Sequence, residues 1–212
     1  MDKLDFRKTD PALYSGKVGR FDRLVVPPMT FLMVDGIGDP NQSPAYAQAA
    51  SALFGLSYGL KFAAKAALAR DHVVGPLEGL WWADDMADFV MSRRDRWRWT
   101  MMIRQPDWIT PEMVETARAK MLAKAAKDPA KTAEMLTAVR LAVFAEGDCL
   151  QVLHLGSYAD ESPVIARLHA QELPERGLRP TGHHHEIYLN DPRRVPPEKL
   201  RTILRQPVAP QV

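Results

Sequence analysis

An α+β fold made of two successive strand–helix–strand–strand modules is what the sequence predicts, and three observations predict it. A strand, a long helix and two strands can be read between Leu24 and Arg104, and the same order recurs between Leu141 and Val208. The segments Leu77-Glu78-Gly79-Leu80-Trp81-Trp82-Ala83-Asp84 and His185-Glu186-Ile187-Tyr188-Leu189-Asn190-Asp191 echo each other, each with a Glu, two large apolar residues and a closing Asp. Between Ser43 and Arg70, apolar residues step by three and four, the spacing of one face of a helix long enough to cross a sheet.

Taken in order, residues 1–20 are polar, carry turn signals at Asp10-Pro11 and Ser15-Gly16, and read as a loosely held N-terminal arm. The apolar run Leu24 to Val34, interrupted at Pro27-Pro28, predicts one strand with an irregular start. Asp35-Gly36-Ile37-Gly38-Asp39-Pro40 reads as a loop, and its Gly-x-Gly lacks the third glycine of a dinucleotide fingerprint. Ser43 and Pro44 supply a capping hydroxyl and a first-turn proline for the long helix. Its stripe is Tyr46, Ala49, Leu53, Leu56, Leu60, Ala63 and Ala67, and Gly55 and Gly59 allow close approach of another backbone. Pro76 to Trp82 and Arg96 to Arg104 read as strands joined by the acidic linker Asp84-Asp85-Met86-Ala87-Asp88. In the second of them Trp97, Trp99, Met101 and Ile103 share a face. A helix from Thr110-Pro111 that ends before Asp128-Pro129, then a short one to Ala138, make a helical linker at about 109–138. It joins modules at about 21–108 and 139–212. In the second module, strands are predicted at Leu141–Ala145 and Leu150–Leu155, and a helix from Asp160 to about Arg176. The last two strands are His184–Leu189 and Leu200–Val208.

Composition narrows the function. The chain has 212 residues, 25% of them charged and 46% hydrophobic, with a net charge of +2 and no Lys/Arg block, so a nucleic-acid partner is not expected. The N-terminus has no apolar signal core, and no run approaches the roughly 18 residues of a membrane span. A lone cysteine, Cys149, fits a reducing compartment, and the expectation is a cytoplasmic protein. Nucleophile elbows and phosphate loops are absent. The run His183-His184-His185 invites a metal, but adjacent strand residues point to opposite faces and no metal-site spacing recurs, so neither metal nor cofactor is expected.

The stretch that matters most is the strand from His184 to Leu189. One face carries Ile187 and Leu189, with His183 and His185 at its wetter end; the other carries His184, Glu186 and Tyr188. An acid between two rings suits an aromatic cleft with a sheltered carboxylate, and it also suits a solvated sheet face. Shelter raises a carboxyl's pKa and makes it a usable acid or base. Trp82, Trp99, Tyr158 and Tyr188 would wall such a cleft, although the tryptophans would serve equally as core. If the echo holds, Glu78, Leu80 and Trp82 face the same way as Glu186 and Tyr188, and both halves line one central cleft.

Glu186-Ile187-Tyr188-Leu189-Asn190-Asp191-Pro192-Arg193-Arg194, followed by Pro196-Pro197-Glu198-Lys199-Leu200-Arg201-Thr202, resembles the C-terminal signature of the GyrI-like small-molecule-binding family. His154-Leu155-Gly156-Ser157-Tyr158 resembles that family's His-x-Gly-x-Tyr turn, with Ser157 where proline is common. Pro76 to Trp82, Trp99 to Ile103 and Gln105 to Trp108 are similar to a stand-alone branch of the family, and the likeness spans roughly Leu24 to Val208. The resemblance implies two modules related by a pseudo-twofold with a ligand cleft between them. It also implies one of two functions. Some members sense cationic aromatic drugs through a buried Glu; others hydrolyse the strained cyclopropane of DNA-alkylating natural products. Glu186 falls on the family's pocket acid and is expected to be the general base. Glu78, Trp82, Trp99, Met101, His154, Tyr158 and Tyr188 are expected to bind an aromatic small molecule. About 20 residues ahead of the first module are too few for a helix-turn-helix domain, which favours an enzyme or a sequestering protein; contact with a protein such as DNA gyrase is a weaker implication.

Overall fold

The computed structural model describes residues 3–85, 93–125 and 133–211. Contacts sort the chain into two units, Met1–Thr9 with Met29–Phe144 and Asp10–Pro28 with Ala145–Val212. The first unit contains strand β1 (Lys3–Leu4), helix α1 (Phe6–Thr9), β3 (Met29–Ile37), α2 (Pro44–Leu68) and β4 (Asp71–His72). It continues with β5 (Leu77–Trp82), β6 (Arg98–Arg104), α3 (Pro111–Ala125), α4 (Ala133–Ala138) and β7 (Arg140–Phe144). The second unit contains β2 (Asp22–Val26), β8 (Gly147–Leu155), α5 (Ser162–Arg167), β9 (Leu178–Pro180), β10 (His184–Tyr188) and β11 (Arg201–Pro210). Met86-Ala87-Asp88 of the acidic linker and the expected helix end at Asp128-Pro129 lie outside the described residues.

The α+β prediction holds, and three strands of each unit share one order, while the fourth follows them in the chain in the first unit and precedes them in the second. In the first, antiparallel neighbours run β5-β6-β3-β7. In the second they run β10-β11-β8-β2, with β9 paired to the end of β11. The run Leu24 to Val34 is two strands rather than one. Pro27 and Pro28 have no N–H to give a ladder, so β2 stops at Val26 and β3 starts at Met29, and the two sort into different units. β3 also runs on into the expected loop, as far as Ile37. Gly36 makes this possible, because a Cβ there would fall inside the Trp99 ring on the neighbouring strand.

The N-terminal residues are held rather than loose. Phe6, Leu13 and Tyr14 are buried, β1 pairs with β4, and the carbonyls of Ala12 and Ser15 accept from Gln151. Polar composition hid this, because the attachments are made largely by backbone.

Helix α2 buries Ala49, Ala52, Leu53, Leu56, Ser57, Leu60 and Ala64. The i, i+4 step from Leu56 through Leu60 continues to Ala64, leaving Ala67 exposed rather than in the stripe. At Gly55 the side chain of Met121 on α3 occupies the place a Cβ would take, and at Gly59 the nearest neighbour is the Ala117 Cβ, so the glycines admit side chains rather than the backbone that was expected. In the second unit Phe21, Leu150, Val152, Leu168, Leu173, Leu178, Leu204 and Val208 form the core. It lies between one sheet face and the helical run from Ser162 to Glu175, which contains a π-helical turn at Leu168–Glu172.

Candidate functional site

Directly opposed residues of an antiparallel pair share a face. Glu186 opposes Leu204, Tyr188 opposes Thr202, and Thr202 opposes His154, so all lie on the face packed by the second unit's helices. The Tyr188 hydroxyl donates to Glu186 Oε2 at 2.8 Å, and His184 Nε2 lies 3.8 Å from Oε1. The Glu186 side chain keeps 13% of its surface open, sheltered yet reachable. His184 is buried, and burial, then His169 and His185, push its pKa down to about 3, so the ring is neutral beside Glu186. Tyr158 meets the Tyr188 ring edge-on, with centroids 5.4 Å apart and planes at 73°. Burial and the neighbouring Glu161, Glu186 and Asp191 push the Tyr158 phenol up to about 12, so it stays protonated.

His154 braces the turn that presents Tyr158. Its Nε2 bonds the Ser157 carbonyl at 3.0 Å, and the turn needs Gly156, whose φ is 139°. Ser157 donates to Asp160 at 2.7 Å. The turn ends at Glu161, which the sequence reading missed. Glu161 is 4% exposed, stands at the N-cap of α5, and its Oε1 has no hydrogen-bond partner. Burial, then the Glu186 charge, raise its carboxyl to about 9 against the pull of the Thr202 hydroxyl, so it is un-ionised at neutral pH. An acid just ahead of Ser162-Pro163 looks like a solvated helix-start residue, and only its three-residue distance from Tyr158 pointed elsewhere.

The remaining predicted residues belong to the first unit. Trp99 and Met101 are fully buried; Tyr46 of α2 packs edge-on to Trp99 with centroids 5.7 Å apart. Gln105, on the same side of β6, donates to Ser57 of α2 at 3.0 Å, which marks that side as the helix-packed one. Glu78 opposes Met102 and Trp82 opposes Arg98, so Glu78, Leu80 and Trp82 lie on the face away from α2. Glu186 lies on the face packed by its own unit's helices. The echoed glutamates are therefore not equivalent positions: sequence alignment of two short strands was off by one residue, which in a strand exchanges the faces.

On the other face of β10 the predicted wetter end is wet only at His183, which is exposed. His185 is fully buried, with Nδ1 2.9 Å from Glu146 Oε1. Arg205 donates to Glu146 Oε2 at 3.0 Å, to the Leu13 carbonyl at 2.6 Å and to Gln151 at 3.0 Å. Burial alone would raise the Glu146 carboxyl; His185 and Arg205 overcome it and hold the group at about 2. Cys149 is fully buried, and burial with the nearby Glu146 charge raises its thiol pKa, which makes it inert. Among the described residues no three His, Cys, Asp or Glu side chains are grouped to hold a metal ion, and no helix is long and apolar enough to cross a membrane.

Solved structures show the same architecture. An uncharacterized conserved protein from Listeria innocua superposes with a TM-score of 0.83 at 40% identity, covering 98% of this chain and 100% of that one. A hydrolase from Listeria innocua gives 0.81 at 39% identity with the same coverage. The C-terminal domain of EcmrR shares the fold, with a TM-score of 0.55 at 11% identity over 90% of this chain and 98% of that domain. No curated protein matches the sequence. The model of the GyrI-like small molecule binding domain matches residues 24–209, nearly the whole sequence, and the chain belongs to that family.

Proposed function

We propose that the Glu186 face of the second unit binds planar, lipophilic aromatic molecules and adds water to an activated cyclopropane. The observation that carries this reading is a sheltered carboxylate, oriented by the Tyr188 hydroxyl, beside the paired rings of Tyr158 and Tyr188. Such rings offer flat apolar surface to a planar ligand. The hydrolase from Listeria innocua, 39% identical over nearly the whole chain, supports a hydrolytic reaction.

The Tyr188 hydroxyl orients the Glu186 carboxylate that is assigned to the water. Glu186 takes a proton as the water oxygen bonds to a ring carbon. The strained C–C bond breaks, its electron pair passes into the conjugated system of the ligand, and the proton held by Glu186 then passes to that anion, which completes the addition of water and restores the carboxylate. Holding water and ring in line supplies orientation, and strain release supplies driving force. His154 acts by bracing the turn. Glu78, Trp82, Trp99 and Met101 are assigned to the framework of the first unit rather than to ligand contact.

The test is incubation with a cyclopropane-containing alkylator, following ring opening by mass spectrometry. Many turnovers are expected, falling about 10²- to 10⁴-fold in Glu186→Gln while ligand binding remains. Turnover at the original rate in Glu186→Gln removes the base. Stoichiometric protection without product leaves a sequestering protein.

A further inference from the structure

Helix α2 has an outer face that its role in the core does not explain. At 3.6 residues per turn, Tyr58 and Phe62 lie opposite the buried Leu53, Leu56 and Leu60. They are 49% and 61% exposed, and nothing among the described residues covers them. Leu68 in the last turn of α2 and Val73 just after β4 are exposed as well, so the apolar surface continues past the helix end. Large apolar side chains gathered on one stretch of surface mark a place of contact.

Cations surround the row. Lys65 stands on the same helix face as Phe62, its side chain exposed, and Arg70 follows the helix end. The N-terminal segment brings exposed Lys3, Arg7 and Lys8 to this end of the unit, because β1 pairs with β4 and Val73 donates to the Leu4 carbonyl at 2.7 Å. Lys61 is committed to Asp71, at 2.5 Å. With Lys61 counted, six cations stand against two carboxylates, Asp5 and Asp71, an excess of four in a chain whose net charge is +2. Arg104 and Asp107, which follow in β6 and the turn after it, balance each other.

We propose that this face docks on an anionic lipid bilayer. Tyr58 and Phe62 enter the headgroup region, and Lys65, Arg70 and the N-terminal cations meet the lipid phosphates. The contact is made from one side, since no helix among the described residues is long and apolar enough to cross. Charge complementarity selects this occupant. A second copy would press the same excess of cations against this one, and like charges across an interface oppose docking. Anionic lipid offers a negative surface for the cations and an apolar layer beneath it for the rings. The inference goes beyond the Glu186 reading and does not rest on it.

Sedimentation of the full chain with vesicles of phosphatidylcholine, with and without phosphatidylglycerol, tests the proposal. Binding is expected to the mixed vesicles, little to phosphatidylcholine alone, and little to either at about 1 M salt, where screening acts within about 3 Å. Lys65→Ala should weaken binding about 5-fold, the worth of one cation near a charged leaflet. Phe62→Ser should weaken it about 10-fold, and Val143→Ser, at a comparably exposed residue of β7, should leave it unchanged. Both positions are exposed, so the fold does not depend on them. Phe62→Cys can be labelled selectively with an environment-sensitive fluorophore, because Cys149 is fully buried. Its emission should shift to the blue on the mixed vesicles alone. Equal binding to both kinds of vesicle, or equal losses in Phe62→Ser and Val143→Ser, overturns the proposal. So does a dimer that Phe62→Ser abolishes without any vesicle binding, which would assign the face to a second copy. Retention of duplex DNA without vesicle binding would overturn it in favour of a nucleic acid. None of these readouts involves Glu186, so failure here leaves the ligand reading standing.

Discussion

Glu146 and Glu161 sit in the same unit, 9% and 4% exposed, and titrate at opposite ends of the scale. Burial pushes both carboxyls upward. What separates them is the neighbour. Glu146 accepts from His185 and Arg205 and is held at about 2, a permanent anion. Glu161 has Glu186 nearby and rises to about 9, a neutral acid at physiological pH. β10 contributes to both outcomes, turning His185 to one face and Glu186 to the other. The comparison teaches that burial sets only the cost of charge; the partner across the strand decides whether the charge exists. One carboxyl fastens the segment around Leu13 to the sheet through Arg205, and the other keeps its proton.

The largest effect is expected from removing the cation. Arg205→Met leaves Glu146 buried beside His185 and frees the Leu13 carbonyl, and should cost about 3–5 kcal/mol. Urea unfolding measures it, and a loss below about 1 kcal/mol would mean that the cluster is not a buried ion pair. Glu146 itself should appear in acid. Its folded pKa is depressed, so the stability it contributes is present above about 4.5 and is lost as pH falls towards 2. The acid limb of a stability–pH curve should flatten in Glu146→Gln.

Glu161 should give the opposite slope. Its folded pKa is raised, so on this group alone stability falls as pH climbs from about 4.5 towards 9. Glu161→Gln should match the native protein near pH 4 and melt at a higher temperature at pH 8. Thermal scans at the two pH values decide it. A variant that melts lower at pH 8 would place a stabilising negative charge on Glu161 and erase the contrast with Glu146.

Much of the fold was legible because it depends on local pattern. The strand–helix–strand–strand order and the start of α2 at Pro44 follow from spacing and residue type. The division at Pro27-Pro28 was legible in chemistry but read too mildly, as an irregular start instead of an end. The site was legible only where one strand carries it: alternation put Glu186 and Tyr188 together, and the Tyr188 bond follows. Partners distant in sequence were not. Arg205 and Glu146 are 59 residues apart, and nothing local says that His185 meets the same carboxyl. Glu161 was missed for the complementary reason, since an acid before Ser162-Pro163 looks ordinary until Glu186 is seen to be near it. The echo between Glu78 and Glu186 failed because a one-residue slip costs little in sequence and reverses every side chain in a strand.

The smallest effect expected is also the finest probe of the pair. Tyr188→Phe deletes a single hydroxyl whose bond to Glu186 Oε2 is worth about 1 kcal/mol. Overall stability should barely change. The Glu161 titration should change, because the Glu186 charge helps to raise it and that carboxylate loses its hydroxyl donor. Read by carbon NMR of labelled carboxyls, the Glu161 titration should move down. Movement of Glu186 alone would mean that the two acids titrate independently, and the neutrality of Glu161 would then rest on burial with no contribution from its neighbour.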